Sequence, residues 1–158
     1  SKFFIELSKK YLNPKTISIA SQCYISNPIR ISEKDKKDYA QYFHYDNDFR
    51  KFFRVFIYLS DVDFSAGPHS FVAKTNVKKS FKHLLAERID DSEIKKFYGN
   101  KNIKTFNGQK GKVIIEDTFG LHKGNPLLSK SRVMLILTYG HGSSINNFKN
   151  LLIKQFNN

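Results

Sequence analysis

Tyr42-Phe43-His44-Tyr45-Asp46 is the stretch from which the rest of the chain can be read. Its aromatic content predicts a strand over Tyr39 to Asp46, and on a strand residues two apart point to the same face. His44 and Asp46 would then offer an imidazole and a carboxylate to one metal ion. A third ligand from a distant segment would complete a 2-His-1-carboxylate set, whose open positions suit non-haem Fe(II) and oxygen chemistry. A second cluster, His122-Lys123-Gly124-Asn125 with Arg132 beyond it, supplies candidates. His122 is the expected third ligand and Arg132 the expected anchor for an organic co-substrate.

Taken singly, none of these residues carries the argument. A His and an Asp two apart on a strand are more often a surface pair, and His122 alone is a histidine in a Gly-rich loop. The ordered set is what raises the expectation.

Outward from the motif, the chain alternates breakers with short periodic runs. Lys2 to Leu12 places Phe3, Phe4, Leu7, Tyr11 and Leu12 at helical spacing, and Asn13-Pro14 ends it. Thr16 to Ser26 alternates as a strand, Asn27-Pro28 breaks it, and Glu33 to Asp38 is a charged connection. After the turn signal Asn47-Asp48, Phe52 to Ser60 reads as a buried strand, and His69 to Lys74 as a short one behind Gly67-Pro68. Lys78 to Tyr98 is the one clear helical region, closed by Gly99-Asn100. Asn102 to Phe106, Lys112 to Glu116 and Ser131 to Tyr139 are three more β-like runs, and the tail from Asn146 to Phe156 reads as a strand or a short helix. Many short strands with one helical insertion predict a β-sandwich or barrel.

Composition bounds the function classes. The 158 residues make one domain, residues 1–158, with a core at about 39–140. The single Cys23 excludes a disulfide framework and fits a reducing, cytoplasmic compartment. No apolar run is long enough to suggest a membrane span. The net charge of +13 invites nucleic acid, but 22 of the 27 basic residues are Lys, whereas bidentate phosphate recognition favours Arg. Specific nucleic-acid binding is therefore not expected, and a small-molecule substrate is. The oligomeric state is open. The chain opens on Ser1, which leaves room for a longer gene product.

The order His44-x-Asp46, His122, then Arg132 resembles the Fe(II)/2-oxoglutarate-dependent dioxygenases. The flanking text sharpens the resemblance toward the phytanoyl-CoA dioxygenase-like family. Phe53-Arg54-Val55-Phe56-Ile57-Tyr58-Leu59-Ser60-Asp61-Val62-Asp63, Gly67-Pro68-His69-Ser70-Phe71-Val72 and Asp117-Thr118-Phe119-Gly120-Leu121-His122-Lys123-Gly124 look like that family's segments in the same order. Lys74-Thr75-Asn76 departs from the Gly-Ser-His of many relatives, and the chain is short, with a reduced N-terminal region. The resemblance implies a mainly β fold, a double-stranded β-helix (jelly roll, cupin-like) with a few flanking helices. It implies Fe(II) held by His44, Asp46 and His122 as the catalytic centre, with Arg132 binding the remote carboxylate of 2-oxoglutarate. It also implies hydroxylation of a small molecule, with 2-oxoglutarate and O2 converted to succinate and CO2. The presence of Asp46 favours hydroxylation, since halogenating relatives lack the carboxylate. A non-enzymatic ligand-binding jelly roll is the alternative. A nucleic-acid demethylase ranks below it, because the position six after Arg132 is Thr138 rather than a second Arg. His69 reads first as a surface or core histidine and second as a residue of the outer hydrogen-bond shell, and His83 and His141 read as structural or solvated.

Overall fold

The computed structural model describes residues 1–13, 17–28 and 40–141. The connection expected over 33–38 and the tail over 146–156 lie outside them.

Two antiparallel sheets face each other. The larger runs β1(Ile17–Ser26), β7(Arg132–His141), β2(Phe52–Tyr58), β5(Val113–Glu116) in spatial order. The smaller runs β4(Ile103–Phe106), β3(His69–Val72), β6(His122–Gly124). The arrangement is the mainly β jelly roll. Most strand boundaries fall within two residues of the sequence expectation. β6 is an exception: three residues among glycines carry no periodic signal, and only pairing with β3 makes them a strand.

Alternation sorts the larger sheet into two faces. Arg54, Phe56 and Tyr58 of β2 stand opposite Glu116 and Ile114 of β5 on one side and Thr138, Ile136 and Met134 of β7 on the other. This set faces the smaller sheet. Its apolar members pack with Val62, Ala66 and Phe106 as the inner core. The opposite parity, Phe53, Val55 and Tyr139, is covered by α1(Lys2–Leu12), which lays Phe4, Leu7, Tyr11 and Leu12 across it. The cross-strand rings of Phe53 and Tyr139 stack at 5.2 Å and 11°. Asn13 ends α1 in the left-handed conformation, φ 47°, its N–H bonding to the Lys9 carbonyl.

The helical region expected over 78–98 is two helices, α2(Phe81–Leu85) and α3(Asp91–Tyr98). Ser80 caps the first, and Asp90 caps the second by accepting from the N–H groups of Ser92 and Glu93 at 2.9 and 3.0 Å. The break between them is used: Ile89 forms a two-way backbone bridge to Phe43, at 2.9 and 2.8 Å. This insert packs on the outside of the smaller sheet through Phe43, Val72, Ile89, Ile94 and Leu121. His83 is wholly buried there, bonded to the Tyr98 hydroxyl at 2.9 Å and to Glu93 Oε1 at 3.0 Å. It is structural.

The strand expected over 39–46 forms only single-residue bridges, Phe43 to Ile89 and His44 to His122. The turn from Asp117 to Gly120 interrupts the ladder, so the Asp46 N–H reaches across it to the Thr118 carbonyl at 2.8 Å. No helix among the described residues is long and apolar enough to cross a membrane.

Ile94 is fully buried between the insert and the smaller sheet. Ile94→Ala is expected to destabilise the fold by about 2–5 kcal/mol, the range for truncating a buried aliphatic side chain, measured by denaturant unfolding.

Candidate metal centre

His44 and His122 exchange both backbone hydrogen bonds, at 3.0 and 2.8 Å. That bridge puts their side chains on one face, with ring centroids 4.4 Å apart. Asp46, one alternation beyond His44, joins them: its Oδ1 lies 3.9 Å from His44 Nε2 and its Oδ2 3.3 Å from His122 Nε2. Three ligand atoms within 4.8 Å of one another can hold one ion. Two ligands at about 2.1 Å from an ion and at right angles stand about 3 Å apart, so the cluster needs little closure.

The imidazoles are oriented for this. Each Nδ1 is occupied by a backbone carbonyl, His44 with Tyr42 at 3.0 Å and His122 with Gly120 at 2.9 Å. A carbonyl only accepts, so both Nδ1 atoms donate and both Nε2 atoms are turned inward, that of His44 with a lone pair and that of His122 toward the Asp46 carboxylate. Asp46 Oδ2 is buried and also 2.9 Å from Arg54 Nη1, while Arg54 Nη2 bonds Asp48. Burial pushes His44 down to about 4, aided by the neighbouring His122. Burial opposes the charged form of Asp46, but the bond to His122 and the charges of His122 and Arg54 hold its carboxyl well below the usual range. For His122, burial works against the cation, yet the Asp46 bond and charge, with Glu116, raise its pKa. The donor set fits a divalent ion: His44 is already neutral, Asp46 stays ionised, and His122 becomes a neutral ligand once its inward Nε2 proton leaves.

Arg132 opens β7 on the inner face and is buried. Its Nη1 bonds the Gly67 carbonyl, and its Nε has no hydrogen-bond partner. Among the described residues no carboxylate lies within ion-pair reach of it. Gly67 holds φ +65°, where a Cβ would strike the Asn125 carbonyl at 2.5 Å, so glycine is required. Asn125 fixes the same loop, its Nδ2 donating to the Pro68 carbonyl at 2.6 Å and to Ser70 Oγ at 2.7 Å. The guanidinium lies over Gly124, where a Cβ would come within 3.4 Å of Nη2. Gly124 is two residues from His122 on β6, a step of about 7 Å along the same face.

The fold thus brings His44, Asp46 and His122 together and leaves Arg132 one strand step away. Three supporting residues escape motif reasoning. Arg54 holds Asp46, and a lone cation inside the apolar run 52–58 was its only signal. Thr75 Oγ1 accepts from the Leu121 N–H at 2.8 Å and braces the turn before His122, from the very triplet that departs from the family pattern. Lys79 donates to the Phe119 carbonyl and sits 3.7 Å over the Phe119 ring and 4.4 Å over Tyr45. Cys23 is exposed on β1, remote in sequence from the centre.

No family model matches the chain, and no curated protein matches it in sequence. Solved structures do. AviO1 from Streptomyces viridochromogenes Tue57 is 14% identical with a TM-score of 0.57, over 91% of this chain and 59% of that one. EvdO2 from Micromonospora carbonacea var. aurantiaca, complexed with 2-oxoglutarate, is 12% identical with a TM-score of 0.57, over 88% of this chain and 60% of that one. HygX from Streptomyces hygroscopicus, with nickel and 2-oxoglutarate bound, is 13% identical with a TM-score of 0.54, over 89% and 66%. At such identities the likeness shows a shared fold. The chain spans about three-fifths of the length of AviO1 and EvdO2.

A metal ion must displace the proton that Asp46 and Glu116 favour on His122, whereas His44, at about 4, offers no competition near neutrality. Affinity for Co(II) is therefore expected to tighten as pH rises from 6 to 8, by up to about tenfold per unit while His122 is protonated. Titration at three pH values checks this.

Proposed function

We propose that this chain is the core of an Fe(II)- and 2-oxoglutarate-dependent oxygenase that hydroxylates a small-molecule substrate, a phytanoyl-CoA dioxygenase-like protein. The observation that carries the reading is the buried His44–Asp46–His122 cluster with both Nε2 atoms turned inward, one strand step from an Arg that has no carboxylate partner among the described residues. The bound forms of EvdO2 and HygX support the choice of 2-oxoglutarate and of a divalent metal.

In this reading His44, Asp46 and His122 hold the iron and Arg132 takes the remote carboxylate of 2-oxoglutarate. When bound, iron, 2-oxoglutarate and O2 supply the oxidising chemistry, in which 2-oxoglutarate loses CO2 to become succinate and the substrate gains a hydroxyl. The protein's part is positioning. Arg54 keeps Asp46 ionised and fixed in direction. Arg132 suits a carboxylate because a planar guanidinium gives two parallel hydrogen bonds. Burial lowers its pKa, because a guanidinium out of water is costly, and a carboxylate bound beside it would offset that cost.

Incubation with Fe(II), ascorbate and 2-oxoglutarate should yield succinate, and His44→Ala should abolish it. Arg132→Gln should retain metal binding but raise the KM for 2-oxoglutarate at least about tenfold, the loss of one charge-assisted pair. Absence of 2-oxoglutarate binding by calorimetry to the metal-loaded protein would overturn the proposal.

A further inference from the structure

We propose that Glu116, held by His69, is a positioning carboxylate for His122 that strengthens this imidazole's hold on a metal ion; the inference rests on the metal-binding reading above. Glu116 ends β5 on the inner face, its side chain 4% exposed. One oxygen, Oε2, lies 2.9 Å from His69 Nε2. The other, Oε1, has no hydrogen-bond partner among the described residues and lies 3.8 Å from His122 Nδ1, the ring nitrogen that faces away from Asp46. His69 is buried as well, its ring 4.6 Å from Phe56 and 5.6 Å from His122. Its backbone N–H is tied to the Tyr58 hydroxyl at 3.1 Å, so the imidazole has a fixed base.

A buried carboxylate oxygen without a donor is costly, and a pair kept only for packing would not leave one. Arg54, directly opposite Glu116 in the sheet, turns its guanidinium to Asp46 and Asp48 instead. The remaining partner is His122. Gly120 already fixes its tautomer, so the part left to Glu116 is electrostatic. A metal on Nε2 draws electron density from the ring and leaves it partly cationic. A carboxylate behind the ring, in a low-dielectric interior, favours that charge and makes the imidazole a better donor. The chain therefore braces one ligand from each side: Asp46 and the ion in front, Glu116 and His69 behind.

The test is Co(II) affinity, read by titration of the d–d absorption, in the wild type, in E116Q and in the double variant H69L/E116L. The double variant replaces a buried polar pair by apolar groups of similar size, a change that cores commonly tolerate. Expected is a weakening of about 10–100-fold in both, the usual effect of losing an outer-shell partner. The apo thermal midpoints should stay within about 4 °C of wild type, a shift of roughly 1 kcal/mol. Should E116Q not fold, H69L/E116L decides alone. Affinity within threefold of wild type in a folded variant would overturn the inference while leaving the oxygenase reading intact. A wild type that binds no Co(II) would overturn both.

Discussion

Two backbone hydrogen bonds between His44 and His122 hold the centre together. They join segments 78 residues apart, and every other element acts to keep that contact in register. β3 fixes β6 from one side, through Phe71 opposite His122 and His69 opposite Gly124. The insert fixes the His44 segment from the other, through the Phe43–Ile89 bridge. Because side chains alternate along extended backbone, a slip of one residue would turn His44 outward and bring Phe43 or Tyr45 in. Ligand geometry is thus a matter of register before it is a matter of side chains.

The inside of the barrel is charged to a degree that an apolar core would not tolerate. Arg54, Asp46, Glu116, His69, His122 and Arg132 all sit within it, buried or nearly so, and several of their polar atoms lack partners. Buried charge without full satisfaction contributes little to stability. The aliphatic and aromatic set of the larger sheet, with α1 on its outer face, and the second apolar cluster beneath the insert carry the fold instead. The division is spatial: stability comes from the two outer layers and the far end of the inner one, and chemistry from the end where β2, β5 and β6 converge.

The parts of this plan that repeat along the chain were legible in the residues. Alternation in 16–26, the continuous apolar and aromatic run of 52–60 and helical spacing in 2–12 depend on local physics, and each became the kind of element it predicts. The grouping of His44, Asp46 and His122 could be read because imidazole and carboxylate are the groups a metal ion needs, and the fold brings these three together. What the residues did not reveal is set by tertiary contact. β6 exists only by pairing, the region 78–98 is broken because Ile89 finds a better partner in Phe43 than in the next helical turn, and the 39–46 segment is cut short by the turn at Asp117. Glu116, Arg54 and Thr75 belong to the same class, since a turn or a sheet, not a sequence period, brings each to the residue it acts on.

The insert binds both ligand-bearing segments through their immediate neighbours. Ile89 bonds Phe43, adjacent to His44, and Asp91 bonds the Lys123 ammonium, adjacent to His122, at 2.6 and 2.7 Å. Such an arrangement makes loop length unequal in its consequences around the molecule. A residue gained or lost near Gln109 would disturb the crossing from one sheet to the other, which is tied to Tyr58, Asp61 and Val62. The same event between Leu85 and Asp91 would drag on the two histidines at once.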